Sequence, residues 1–504
     1  MMKSIEKMRQ PKATGQNKLY SSFVCFVIFI CYVFSHSLIA QNPPTQQQNQ
    51  QRQEKKPKFE KISSHIIVVT ISGLRADDIN NLGNNRLRVE TIRSLLEKGS
   101  HAVSVESIYP SLTNPAHVTI ATGTLPADHG ITSDFPFNEQ SAQQSPEPYF
   151  QSKEIKNDTI WDAAKRGGFI TAAIGFPMTS GATINFNLPT THDEKLSAES
   201  DFPVEEMFSK QYVNPPELSQ TLLSLQKNVS FLTNKKLKQI ANHQRLDYFK
   251  ATAAAFLIEN HRPNLLMINF SSFARAEEKY GLQSRESFLA LESVDGLLKK
   301  IVDSVENAQL SQETTLIVAS DYGSMRVEHL FNPNHLLAKK GWLSIDSQER
   351  ITSWQAVAQS FGGSAAIFVK NPQDEKTIRE IEKLFNEYHE RPDSPIWRII
   401  LRREASQLGA DPRVFFYLDA APLYAMTSRA NVSTISKSSE RVAHGYLPSR
   451  SEARATLIIS GKGIKDGARI EYARLIDIAP TIARLFGLEM RTARGRILSE
   501  VITP

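Results

Sequence analysis

The sequence predicts an α/β fold with a mostly parallel central sheet, helices on both faces and an inserted smaller subdomain. Two observations predict the sheet. Short apolar runs recur along the chain, HIIVVTIS (65–72), FITAAIGF (169–176), NLLMINFSS (264–272), TLIVAS (315–320), AAIFVK (365–370) and ATLIIS (455–460), bounded by Gly, Asn, Asp or Pro and with little internal polarity. Strands apolar on both faces need helices on both sides, as parallel sheets have. Amphipathic stretches at 85–99, 285–307 and 473–487 alternate with these runs, and several end in the glycine that commonly stops a helix. A third observation predicts the insertions: residues 177–262 and 326–440 are richer in polar residues than the rest.

Taken in order, residues 1–40 have a basic start (Lys3, Lys7, Arg9, Lys12, Lys18), then FVCFVIFICYVF over 23–34 and SHSLIAQ. That layout is an export signal, either a cleaved peptide or an uncleaved membrane tether; the apolar run alone is shorter than the roughly 20 residues of a span. Both cysteines, Cys25 and Cys31, lie in this segment, so the remainder has neither a disulfide nor a thiolate metal site. Residues 41–62 are rich in Gln, Pro and Lys and form a disordered spacer. The main domain is expected over 63–490, with 491–504 as a tail.

The formal net charge is +6, but residues 1–62 hold ten Lys and Arg against three Glu, which leaves the rest of the chain at −1. The basicity belongs to the leader. It gives no signal for nucleic-acid binding, and membrane contact is expected only through the N-terminal segment.

Ligands of such sheets bind beyond the carboxyl ends of the strands. The residues there are Ser72-Gly73-Leu74-Arg75, Ser272 to Gly281 and Asp321-Tyr322-Gly323, and His444-Gly445-Tyr446 follows late in the chain. Read alone, Thr113-Asn114-Pro115 is a helix start with Asn114 as cap and Pro115 at the first helical position. Asp77, Asp78 and Asp128 read as structural carboxylates.

The segments SGLRADD, YPSLTNPAHVTIATGTLPADHGITSD, TIWDAAKRGGF, FPMTSGATINFNLP, VASDYG, AHGYLPSRSEARATLIISGKGI and ARLIDIAPTIARLFG resemble, in order, the landmarks of the nucleotide pyrophosphatase/phosphodiesterase family of the alkaline phosphatase superfamily. The resemblance implies an alkaline-phosphatase-like fold, two zinc ions and a threonine nucleophile that cleaves phosphate esters. Two close metals stabilise the attacking and leaving oxygens, and one activates the hydroxyl.

Carried over residue by residue, the nucleophile position is Thr113. The first metal would take Thr113, the position of Ser72 and the Asp321-Tyr322 pair, where the family has aspartate at the first and Asp-His at the pair. The second would take the positions of Ala274 and Glu278, aspartate and histidine in the family, and His444. Ser72, Ala274 and Tyr322 are therefore degenerate ligand positions. Asp321, His444 and, weakly, Glu278 remain as donors, so zinc binding is expected to be weak or partial at most. Asp134 stands where the family has an asparagine that donates to phosphate, and Arg275 is a candidate phosphate-binding cation beside Glu278. The expectation is an exported, catalytically impaired or inactive homologue that binds a phosphate ester or nucleotide or serves as a scaffold. The alternative is an active phosphodiesterase using Thr113 and an atypical metal site.

Overall fold

The computed structural model describes residues 59–83, 87–189, 213–222, 224, 242–348, 350–431 and 433–503. The expected export segment, nearly all of the spacer and much of 177–262 lie outside them. Chain from Pro57 to Pro504 forms one unit.

The central sheet is built from β1 (His65–Ile71), β2 (Gly99–Glu106), β3 (Thr171–Ile174), β4 (Phe186–Leu188), β5 (Leu265–Phe270), β6 (Thr314–Ala319) and, later in the chain, Ala455–Gly461. Its order is β2, Ala455–Gly461, β6, β1, β5, β3, β4, with two short segments, Arg469–Ile470 and Ala473–Arg474, beside β2. Pairings of β1 with β5 and β6, of β5 with β3 and of β3 with β4 are parallel; Ala455–Gly461 runs antiparallel to both its neighbours. Register aligns Ile71 with Phe270 and Thr70 with Ala319, so three strands end at one edge.

The flanking helices are α1 (Glu90–Glu97), α2 (Thr113–Thr122), α3 (Ile160–Arg166), α4 (Asn242–His261), α5 (Ser272–Tyr280), α6 (Arg285–Asn307), α7 (Glu375–His389) and α8 (Ile478–Phe486). Side chains alternate along a strand. Ile67, Val69 and Ile71 pack in one core with Leu257 of α4, Phe273 of α5 and Leu298 of α6. Ile66 and Val68 pack in another with Ile120 of α2, Trp161 of α3 and Ile482 of α8. This is why the strands read as apolar throughout: both faces are covered.

Strand β2 escapes the apolar pattern because GSHAVSVE is only partly buried. Gly99, expected to stop the preceding helix, instead opens this strand, and α1 occupies only the second half of the 85–99 stretch. By contrast α6 spans 285–307 as the sequence predicts, and α8 stops on Gly487 with φ 70°.

A second, antiparallel sheet comprises β7 (Ala356–Ser360), β8 (Ser364–Val369), β9 (Ile396–Leu401) and β10 (Phe416–Ala420), in the order β7-β8-β10-β9. The run at 365–370 belongs here, not to the central sheet. Its core joins Ile367 and Phe416 to Leu384 and Phe385 of α7.

Candidate functional site

Where β1, β5 and β6 end, their next residues meet. Asp321, two residues beyond the end of β6, is fully buried, and its Oδ1 accepts from the Gly73 amide at 3.1 Å and from the Tyr322 amide at 3.0 Å. Its Oδ2 is also buried and has no hydrogen-bond partner; His117 Nδ1 is 3.8 Å away. Gly73 turns the chain at φ 79°, and a Cβ there would stand 3.1 Å from Cβ of Ala274 in α5. The turn after β1 thus lies directly against the start of α5.

Thr113 is the first residue of α2. The helix begins two residues earlier than the sequence suggests, with Leu112 rather than Asn114 at the cap position and no side-chain cap from that residue. The cap comes from a distance: Asp134 Oδ1 accepts from the Asn114 amide at 2.7 Å. A carboxylate therefore occupies a donor at a helix N-terminus, where unsatisfied amides and the dipole favour an anion. One helical turn on, His117 Nδ1 donates to the Thr113 carbonyl at 2.8 Å, which leaves Nε2 facing the Thr70 hydroxyl at 3.0 Å.

Tyr322 is buried, its ring stacked on the His444 imidazole with centroids 4.1 Å apart and planes at 20°. Its hydroxyl stands beside the Thr113 side chain; burial pushes its pKa well above the ordinary phenol value, aided by the negative charges of Asp321 and Glu278 and opposed by Arg275 and Thr113. The His444 Nδ1–H donates to the Ser111 carbonyl at 3.1 Å, and Ser111 Oγ accepts from the Gly445 amide at 3.2 Å.

Ser72 and Asn269, a polar residue inside the apolar run of β5, form a neutral pair, the Ser72 hydroxyl donating to Asn269 Oδ1 at 3.2 Å. Behind them lies a group the sequence reading missed. Lys250 of α4 is fully buried, donates to the Asn269 carbonyl at 3.1 Å and stands 3.5 Å from Asp247. Asp247 Oδ2 accepts from the Ser271 and Ser272 amides at 3.0 and 2.7 Å and so caps α5. The only sequence signals were Asn269 within LLMINF and His117 four residues after Thr113.

Thr113, Asp321, Tyr322 and His444 thus gather at the strand ends with Ser72 and Ala274 beside them. Arg275 is exposed and Glu278 partly exposed on α5, close enough for their charges to act on Tyr322, and they bond each other, Arg275 Nη1 donating to Glu278 Oε2 at 2.8 Å. Of the three aspartates read as structural, Asp78 bonds Arg75 and Asp128 pairs with Arg494 at 3.1 Å, while Asp77 is exposed.

Two zinc ions would require three or more donors each. Here the Oδ2 of Asp321 is an available buried carboxylate oxygen and His444 has the orientation of a ligand, its Nδ1 held by a carbonyl. Around them Ser72 bonds Asn269, the Tyr322 ring covers the imidazole, Ala274 has no donor atom and Glu278 pairs with Arg275. Among the described residues no group of three His, Cys, Asp or Glu side chains could hold a metal ion. The residues present do not fit a two-ion centre.

The fold is of the alkaline-phosphatase-like α/β class. The chain belongs to the type I phosphodiesterase / nucleotide pyrophosphatase family, whose model matches residues 66–447. It is 22% identical over 261 residues to ectonucleotide pyrophosphatase/phosphodiesterase family member 1 of Homo sapiens, a match covering 51% of this chain and 23% of that protein. It is 25% identical over 227 residues to ectonucleotide pyrophosphatase/phosphodiesterase 1 of Saccharomyces cerevisiae, covering 43% of this chain and 27% of that protein. The match thus spans about a quarter of each of these two relatives. Among solved structures, murine ectonucleotide pyrophosphatase / phosphodiesterase 5 superposes with a TM-score of 0.61 at 16% identity, over 87% of this chain and all of that one. The human counterpart gives 0.60 at 15%. At such identity the likeness establishes the fold.

Proposed function

We propose that this chain is an exported family member in which the dinuclear centre no longer forms, and which binds a phosphate ester or nucleotide without efficient turnover. The observation that carries the reading is Tyr322. Its aromatic ring lies on His444 and its hydroxyl stands beside Thr113, so one substitution covers a ligand position of the second metal and crowds the nucleophile position. A threonine hydroxyl that lacks an activating metal stays protonated at neutral pH. Asp134 adds to the impairment, because its carboxylate holds the Asn114 amide that a bound anion would otherwise reach.

Nucleotide is the ligand class to test first, since an inactive variant of murine ectonucleotide pyrophosphatase / phosphodiesterase 5 is known in complex with AMP. Export rests on the basic-then-apolar N-terminus and on relatives named as ecto-enzymes. No helix among the described residues is long and apolar enough to cross a membrane. The deciding experiment measures AMP binding and hydrolysis of a generic phosphodiester by the same preparation. Binding without turnover supports the reading, and ordinary turnover overturns it.

A second reading, an active phosphodiesterase with one atypical metal, is favoured by Asp321 Oδ2, a buried carboxylate oxygen without a partner. Zinc-dependent turnover that is lost in Thr113→Ala would select it.

A further inference from the structure

Asp419 lies where the second sheet meets the chain segment that carries His444. It is on β10 and fully buried. Its Oδ1 accepts from the Leu447 amide at 2.7 Å and its Oδ2 from Arg450 Nη1 at 3.2 Å, while the same Nη1 reaches the Ala420 carbonyl at 2.7 Å. The Arg450 guanidinium lies over the rings of Trp397 and Tyr446, 4.6 and 5.1 Å from their centroids. The chain just after His444 is thereby fastened to β9 and β10.

The connection between β7 and β8 grips the same segment. The Gly363 amide donates to the His444 carbonyl at 2.7 Å. The approach is so close that a Cβ on Gly445, which has φ 89°, would collide with the Phe361 carbonyl, and one on Gly363 with the Tyr446 ring. Tyr446 is fully buried, and its hydroxyl donates to the Tyr424 carbonyl at 2.7 Å. Ser111, which leads into Thr113, takes up the segment from the central domain: it receives the His444 imidazole and the Gly445 amide, and its hydroxyl donates to the Tyr446 carbonyl at 3.2 Å.

The charged and titratable groups around Asp419 come from each neighbouring element. They are Arg450 and Tyr446 of the His444 segment, Arg398 opposite it on β9, itself paired with Glu404, and Tyr109 of the chain leading to Ser111. Burial pushes the Asp419 pKa up to about 7, against the pull of Arg450, the Leu447 amide and Arg398.

We infer that Asp419 is a positioning residue of the site: from the second sheet it holds the His444 segment against Ser111 and so fixes the His444–Tyr322 stack beside Thr113. The inference concerns the shape of the site. It stands or falls separately from nucleotide binding and from the loss of the metal centre. It also sets a direction with pH. A hydrated aspartate loses its proton near 3.9, so an opening of the segment that lets water reach Asp419 releases a proton between about pH 4 and about pH 7. Opening therefore becomes easier as pH rises through that window and levels off above it.

The test is hydrogen exchange of the full chain, followed on peptides covering 442–450 across that window, with rates corrected for their intrinsic dependence on pH. In wild type the segment should open at least about tenfold more readily at the upper end than at the lower. Asp419→Asn keeps an acceptor and cannot titrate, so it should remove the dependence. A second readout is the ring-proton resonance of His444, identified by its absence from His444→Gln and shifted by the Tyr322 ring. Asp419→Asn should leave that resonance near its wild-type position, whereas Asp419→Ala, which removes the acceptor, should move it toward that of an unstacked histidine in protein that remains folded. The wild-type exchange profile decides without any variant having to fold. The inference is overturned by wild-type exchange that is independent of pH across the window, by an asparagine variant that keeps the dependence, or by a His444 resonance that Asp419→Ala leaves in place.

Discussion

The Tyr322 ring lies on the imidazole of His444 at 4.1 Å while its hydroxyl stands beside the Thr113 side chain. One side chain thereby joins three positions that the family resemblance assigns to metals and nucleophile. The stacked pair is a hydrophobic and aromatic contact in a place built for charge. Truncation to alanine should destabilise the protein by about 3–5 kcal/mol through lost packing. Tyr322→Phe, which removes only the hydroxyl, should cost about 1 kcal/mol. Denaturant titration separates the two; equal losses would mean that the ring contributes nothing beyond its hydroxyl.

Asp134 caps α2 through the Asn114 amide. Asp134→Ala should lower stability by about 1 kcal/mol, the usual worth of a cap. Asp134→Asn keeps an acceptor and removes the charge, so it should retain most of the stability and bind AMP more tightly than wild type. Calorimetry at low salt measures both. Weaker AMP binding by the asparagine variant would show that the carboxylate does not oppose the anion.

How much of this was legible beforehand depends on where each signal sits. The positions of Ser72, Thr113, Asp321 and His444 follow strand ends and motif order, both of which are linear in sequence. The partners that hold them do not. Asn269, His117 and Lys250 come from β5, α2 and α4, and each alone looks like an ordinary polar residue. Strand β2 was illegible for another reason: with Ser and His among its residues and partial burial, it lacks the unbroken apolar run of its neighbours. The Asp134 cap was unreadable because the residue is twenty positions from the amide it serves. Arg275 read as a candidate for phosphate, yet the helix brings it into contact with Glu278, three residues on.

Lys250 and Asp247 are both fully buried, and together they fix the start of α5 and the end of β5. Lys250→Met should leave Asp247 as an uncompensated charge and destabilise by about 3–5 kcal/mol, far more than a surface pair. Chemical denaturation reads this directly. A loss under 1 kcal/mol would contradict the supporting role of the pair.

His129 gives a pH dependence. It is fully buried, with Nδ1 accepting from the Ile131 amide at 3.2 Å and Nε2 3.1 Å from the Thr119 hydroxyl, and burial lowers its pKa to about 3. An unfolded histidine takes its proton near 6.5. The unfolded state therefore binds more protons between pH 6.5 and about 3, so this contribution is fully present above 6.5 and is lost as pH falls through that window. His129→Gln should flatten the slope of stability against pH over this range. An unchanged slope would place the acid sensitivity elsewhere.

The central claim is that Thr113 is unactivated because the ligand set around it is broken. The direct measurement is the rate of phosphodiester hydrolysis, with bound zinc determined on the same samples, for wild type, Thr113→Ala and the combined variant Ser72→Asp, Ala274→Asp, Glu278→His, Tyr322→His, Asp134→Asn. Each 1.36 kcal/mol of lost transition-state stabilisation is about tenfold in rate. Wild type and Thr113→Ala should be almost equally inactive and carry well under two zinc ions, whereas the combined variant should bind zinc more tightly and depend on Thr113. Ordinary turnover by wild type that Thr113→Ala abolishes would contradict the account.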